Sequence, residues 1–373
     1  MFAVIKNLLK YSSNHMIENH LIHTINKDVV KDYPLKDIQG AVSEKIFYYS
    51  PRWNFYHTCR QLAKLLPDDK AIIVAHDWLE LGMASNLGLQ NPVVQIVHGN
   101  YDYYYNLAIK HSSVVNLFIC ISNKIFGSLK RKLPGRQFDI VHLNFPVPEA
   151  TSARQIKKAL HLIYYPGNLR DANKQFATII EIAAKLTGNA NDYFFTIAGD
   201  GMTTQEFFDV WPAAMKDRVN FTGLQTSEQI IALLPGHDIF LLPSLKEGLP
   251  VSLAEAMKIG AVPLITNWDG GADELVTEGI TGYFFKPSAA TEYVECIKML
   301  NADRQLLKTL SDNCKLTANS LFDPVTNTKK FENLYLELFS KKTGEKKPVK
   351  VYGSRLDHPL IPNIITSSIR SKK

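Results

Sequence analysis

From Ala159 onward, short apolar runs alternate with segments of helical spacing. Ala159–Tyr165, Tyr193–Ala198, Val219–Thr222, Asp238–Leu242 and Ala261–Thr266 are rich in apolar and β-branched side chains, with Gly, Pro or polar residues around their ends. Runs of this kind predict strands. Asn173–Leu186 is amphipathic with helical period, and Glu228–Leu234 opens on Thr226 with Gln229 three residues later, a capping box. Strands alternating with helices predict a doubly wound parallel sheet, a Rossmann-like half.

The first 150 residues alternate less regularly. Phe2, Ile5, Leu8 and Leu9 show helical spacing, and Met16–Ile25, Ala71–Ala75, Val93–Val97 and Leu117–Ser122 read as strands. No glycine precedes Gly40. Pro146-Val147-Pro148-Glu149 reads as a linker, and Thr328–Ser340 is an amphipathic helix. The resulting division is a domain over 1–152, a second over 153–325, a helix over 326–340 that crosses back to the first, and a separate tail over 341–373.

Charge sharpens that division. The net charge is +6, but residues 341–373 hold nine Lys or Arg against Glu345 and Asp357, so residues 1–340 are close to neutral. Lys341, Lys342, Lys346, Lys347 and Lys350 form a basic cluster that suits anionic lipid headgroups and reads equally as a solvated tail. No aromatic and basic residues interleave as a nucleic-acid platform, which argues against that class of partner. No apolar run reaches the ~18–20 residues of a membrane span, no secretion signal opens the chain, and Cys59, Cys120, Cys296 and Cys314 lack metal-ligand spacing. These features predict a cytoplasmic enzyme, peripheral at the inner face of a membrane if the basic cluster engages lipid.

Chemistry concentrates after the strand Asp238–Leu242. Glu247 sits in a loop and Glu255 inside the helix that follows, with Pro250 suited to the first helical position and Gly260 to the stop. Free amides of a first helical turn bind phosphate, here around Gly248, Leu249 and Val251. Glu255, roughly 7 Å further along the axis, suits the paired hydroxyls of a ribose. Glu247 lies on the other side of the phosphates, where a second hydroxyl-rich group would be. Sugar, diphosphate and ribose in that order match a nucleotide-sugar. Ordinary surface acids are the competing reading.

The surrounding text decides between them. Pro243-Ser244, Glu247-Gly248, Glu255-Ala256, Gly260, Gly271, Glu274, Gly279 and Gly282 closely resemble the donor-binding signature of family 4 retaining glycosyltransferases, over about fifty residues from His237 to Phe285. The resemblance implies an α/β protein of the GT-B fold, two Rossmann-like domains facing a central cleft. It implies transfer of a sugar from a UDP- or GDP-linked donor to a hydroxyl of a glycan or lipid-linked acceptor, with retention, in cell-surface polysaccharide or glycolipid assembly. It also implies His98 as an active-site histidine facing the donor sugar, Lys174 on the diphosphate, and Gly167 and Gly199 beside the donor. Asp77, at a strand end, is a weaker candidate on the acceptor side.

The chain departs from that family in two places. The family's phosphate-binding Arg corresponds to Asn168, with Arg170 two residues away as a substitute from another angle. The first strand and its glycine-rich turn are missing, which reads as a start assigned too far downstream. Both departures favour the alternative of a GT-B binding or scaffold subunit impaired in catalysis. No Asp-x-Asp or His cluster calls for a metal, no lysine motif calls for pyridoxal phosphate, and no cofactor is expected.

Overall fold

The structure is a computed structural model that describes residues 2–33, 35, 37–67, 71–149, 157–268, 270–341, 344–350 and 354–371. The chain divides into two compact units, one of residues 1–146 with 324–373 and one of residues 147–323. The boundary expected after residue 152 falls among residues 150–156, outside the described ones.

The first unit opens with α1 (Phe2–Lys10), which buries Val4, Asn7 and Leu9 while Phe2 stays exposed. Asn7 earns its inward position by donating to Pro146 O (3.1 Å). β1 (His20–Asn26) begins four residues later than expected, because Asn14 ties Met16 and Ile17 into a turn. It pairs in parallel with β2 (Ser43–Tyr49). Next come α2 (Phe55–Ala63), β3 (Ile73–Ala75), α3 (Trp78–Leu87), β4 (Val93–Val97), α4 (Asp102–Lys110), β5 (Leu117–Cys120), α5 (Asn123–Lys132) and β6 (Ile140–His142). Strands β3-β4-β5-β6 form a second parallel sheet in that order. Among the described residues no strand pairs with the outer edge of β3, or with the edge of β1 away from β2. The expected sheet therefore stands in two pieces. Every residue of β4 and β5 is buried, whereas β1 is mostly half-exposed.

The second unit holds β7 (Leu160–Asn168), α6 (Phe176–Lys185), β8 (Tyr193–Asp200), α7 (Thr204–Val210), β9 (Val219–Gly223), α8 (Ser227–Leu233), β10 (Ile239–Leu242), α9 (Val251–Ile259), β11 (Val262–Thr266), β12 (Tyr283–Phe285), α10 (Ala290–Ala302) and α11 (Arg304–Leu321). Its strands form one parallel sheet in the order β12-β11-β10-β7-β8-β9. β10 and β11 are buried along their whole lengths, the condition that makes parallel strands read as continuous apolar runs. The strand order reverses between β7 and β10, so the loops after these two strands diverge and leave a crevice. Lys258 on α9 has its side chain 1% exposed, donates to Val147 O (3.0 Å) and Phe322 O (3.3 Å), and pairs with Glu149 (2.6 Å).

The chain then returns to the first unit through α12 (Pro324–Ser340) and ends in α13 (Asn363–Arg370). The described residues of the expected tail, 344–350 and 354–371, are not a free appendage. Lys346 Nζ donates to Asn91 O (2.6 Å) and Asn116 Oδ1 (2.7 Å), and burial lowers its pKa to about 8. Val349 N donates to Ser85 O (2.8 Å). The Asn54 amide lies within hydrogen-bond distance of the carbonyls of Leu356, His358 and Ile361. Asp357 accepts from Phe55 N (2.7 Å) and pairs with Arg370 (2.6 Å). Three members of the expected basic cluster are thus engaged, Lys346 here, Lys341 with Glu337 (2.7 Å) and Lys350 with Ser354 O (3.5 Å); Lys342 lies outside the described residues. Among the described residues no helix is long and apolar enough to cross a membrane.

Candidate active site

The crevice of the second unit is framed by the loop after β7 and the loop after β10, and Asn173 clips the two together. Its backbone carbonyl accepts from Leu245 N (2.9 Å), its side-chain oxygen from Lys246 N (2.9 Å), and its side-chain amide donates to Lys246 O (2.9 Å). A third loop closes against them at Gly270, where a Cβ would collide with the Glu247 carbonyl oxygen and the Trp268 ring. Only glycine allows that approach.

The clip sets Lys174 opposite Glu247, Nζ to Oε1 at 2.6 Å, with side chains 21% and 17% exposed. Pro250 is the N-cap of α9 rather than its first helical residue, and the first turn has neither a side-chain cap nor an acid. That turn, reached through Gly248 and the buried Leu249 and beginning at Val251, offers its amides to an anion. Glu255 follows on α9, 8% exposed, with its carboxyl pushed up to about 7 by burial and, secondarily, by the charge of Glu228. Beside it, Tyr165 donates its hydroxyl to Ser252 O (2.7 Å). Gly167 at the end of β7 adopts φ 84°, a left-handed conformation that turns the chain into the Asn173 loop, and its register partner is Gly199 on β8.

One expected member is drawn elsewhere. Arg170 pairs with Glu206 on α7 (2.6 Å) and donates through Nε to Gly201 O, rather than pairing with the adjacent Asp171. Asn168, at the family's arginine position, accepts from Arg170 N (2.9 Å) and so shapes its own loop. Of the two basic residues expected at the phosphates, only Lys174 stands with Glu247. Asn173, Tyr165 and Gly270 were not singled out by sequence. Tyr165 closes a predicted strand and Gly270 belongs to a Gly-Gly pair, but neither position alone announces a contact.

In the first unit, His98 follows β4 and His76 follows β3. His98 Nε2 and His76 Nδ1 are 2.9 Å apart, with rings stacked at 5.2 Å between centroids. Burial, then the neighbouring His76, holds His98 well below its ordinary 6.5, and burial takes His76 down to about 3. Both rings are therefore neutral near pH 7, and His98 acts as a hydrogen-bonding group rather than a charge. Its Nδ1 has no hydrogen-bond partner among the described residues. Asp77 caps α3 by accepting from Trp78 N (2.8 Å) and also accepts from the Tyr103 hydroxyl. Glu80, one turn along α3, was missed by sequence reasoning; burial raises its carboxyl to about 7. Among the described residues no group of three or more His, Cys, Asp and Glu could hold a metal ion.

Residues 148–317 match the family described as glycosyl transferases group 1, across the sheet and crevice just described. The second unit is a glycosyl transferases group 1 domain. Over 153 residues the chain is 29% identical to the alpha-D-kanosaminyltransferase of Streptomyces kanamyceticus, covering 41% of this chain and 39% of that protein. The match thus spans about two fifths of that relative's length. A longer match, 23% identical over 359 residues and covering 88% and 87% of the two chains, is to the N-acetyl-alpha-D-glucosaminyl L-malate synthase of Bacillus anthracis. Among solved structures, Anabaena Alr3699/HepE in complex with UDP-glucose superposes with a TM-score of 0.67 at 15% identity, covering 90% of this chain and 95% of that one. The group 1 domain and the first unit therefore both fall within a shared α/β fold, the GT-B fold.

Proposed function

We propose that the protein is a retaining, metal-independent glycosyltransferase that moves a sugar from a nucleoside-diphosphate sugar to a hydroxyl of a glycan or lipid-linked acceptor in surface polysaccharide or glycolipid assembly. The observation that carries this reading is the Lys174–Glu247 pair across the two loops of the crevice, beside the uncapped first turn of α9. A diphosphate entering there draws Lys174 onto its oxygens, with the amides near Leu249 and Val251 completing the charge neutralisation. Glu247 is thereby released to accept hydrogen bonds from the sugar. Glu255 takes the ribose hydroxyls, which donate to its ionised form. Gly167, Gly199 and Gly248 give the nucleotide room.

In the first unit, His98 is assigned to a sugar hydroxyl and Asp77 to the acceptor. With Glu247 assigned to the sugar hydroxyls and Glu255 to the ribose, neither carboxylate of the crevice is left to serve as a covalent nucleophile at the anomeric carbon. Front-face substitution follows. The anomeric C–O bond to phosphate breaks, the acceptor oxygen bonds the same face, and its proton passes to a leaving phosphate oxygen. The relatives support this reading: one carries the name of a kanosaminyltransferase, and HepE holds UDP-glucose.

A second reading, a binding or scaffold subunit, is favoured by Arg170 being spent on Glu206, which leaves Lys174 as the lone assigned cation. The test is nucleoside-diphosphate release from UDP- and GDP-sugars by the wild-type chain, Glu247→Gln and His98→Ala. Turnover lost in both variants supports the transferase. Binding without turnover in the wild type supports the scaffold, and no binding of any nucleotide-sugar sinks both.

A further inference from the structure

Helix α13 is amphipathic with its polar side inward. Thr366 is fully buried and donates to Leu356 O (3.1 Å), Asn363 Oδ1 accepts from Asn54 N (2.8 Å), and Arg370 reaches Trp53 O (2.5 Å) and Asp357 (2.6 Å). These three positions, at spacings of three and four, mark one side of a helix. The other side carries Ile364 (78% exposed), Ile365 (48%) and Ile369 (42%), with Leu360 (84%) in the turn before it. A helix facing water has the opposite arrangement. Four large aliphatic side chains grouped around eight residues of helix form a patch rather than scattered surface residues.

The charges around that patch identify what covers it. Lys347, Lys350 and Arg355 are exposed, and Lys372 and Lys373 follow the helix in sequence. Glu345 is the sole exposed acid among the described residues after 343, because Asp357 is buried against Arg370. A second copy of this chain would oppose one cationic tail with another. An anionic lipid surface meets both features, aliphatic side chains for the acyl boundary and cations for the headgroups.

We propose that α13 lies flat in the interface of an anionic bilayer, with Leu360, Ile364, Ile365 and Ile369 inserted and Lys347, Lys350 and Arg355 on the headgroups. Of the basic cluster at 341–350, Lys346 is held by Asn91 and Asn116 and takes no part. This inference is independent of sugar transfer. The test is co-sedimentation of the full chain with vesicles of phosphatidylcholine alone and of phosphatidylcholine with about 30% phosphatidylglycerol. Binding is expected to the anionic vesicles and to weaken with salt. The double variant Ile364→Asp/Ile369→Asp should bind about tenfold or more weakly with an unchanged melting temperature, since both side chains point away from the protein. Leu316→Asp, equally exposed on α11, should bind like the wild type. The proposal is overturned if the wild type leaves anionic vesicles unbound, if the double variant binds them as tightly as the wild type, or if the variant instead dissociates a dimer seen by sedimentation without lipid.

Discussion

The two units solve one problem, covering a parallel sheet, by different means. In the second unit a continuous six-stranded sheet is buried against helices, and Leu160, Leu162, Phe195, Ile239 and Leu264 make one apolar core. In the first unit the sheet stands in two pieces, and a terminal segment is fastened across it by side chain–backbone bonds from Asn54, Lys346 and Asp357. Cohesion spread over many apolar contacts tolerates the loss of any one. Cohesion through a few buried polar groups does not, because removing one partner leaves the others desolvated and unpaired.

The largest expected effect lies in the second unit and concerns chemistry rather than stability. Glu247→Gln should lower turnover by about a hundredfold or more, as loss of a preorganised group does, while nucleoside-diphosphate affinity holds or rises because Lys174 is freed. Calorimetric titration beside the turnover assay reads both, and a parallel loss of affinity would contradict the assigned roles. Next, Asn54→Ala should cost the first unit about 2 kcal/mol, having removed both a helix cap and a buried donor. Hydrogen exchange should show residues 344–350 and 354–371 losing protection while β7, β10 and β11 keep theirs; equal loss in both units would break the comparison.

A smaller effect in the second unit depends on pH. Burial raises the Glu255 carboxyl from its ordinary 4.5 to about 7, so the folded form favours the proton. The stability this contributes is complete below pH 4.5 and is lost as pH rises through 7. Glu255→Gln should therefore raise the melting temperature of the ligand-free second unit at pH 8 and leave it little changed at pH 4.5. In the wild type, nucleotide affinity should rise across the same interval if ribose hydroxyls donate to the carboxylate. The smallest effect is at Arg170→Gln. The guanidinium is 58% exposed and tied to Glu206, so melting should be unaffected and nucleotide affinity altered by less than about threefold.

The same contrast explains what was legible in the sequence. Strands buried on both faces spell apolar runs, so β7, β8, β10 and β11 were found to within three residues at either end. The helix expected from Asn173 begins at Phe176, since Gln175 takes φ 57° and breaks the turn before it. In the first unit, β2 opens on Ser43-Glu44-Lys45 and has a half-exposed face, so it gave no comparable run. Helix α13 was missed, and its inward side carries Asn363, Thr366 and Arg370, the reverse of the usual signal. The nearness of Lys174 to Glu247 was readable because motif and strand ends coincide there. The fate of Arg170 was not, because its partner Glu206 lies 36 positions away.

Lys258 carries a consequence of another kind. One ammonium group holds the carbonyls of Val147 and Phe322, the places where the chain enters and leaves the second unit. A segment whose ends meet in this way is topologically a cassette, and excision closes no long gap. Residues 147–323 should fold when expressed alone, with a cooperative melting transition that checks it, and a short linker in their place should spare the remainder. The same pinching offers evolution a graft point, where one such cassette can be exchanged for another.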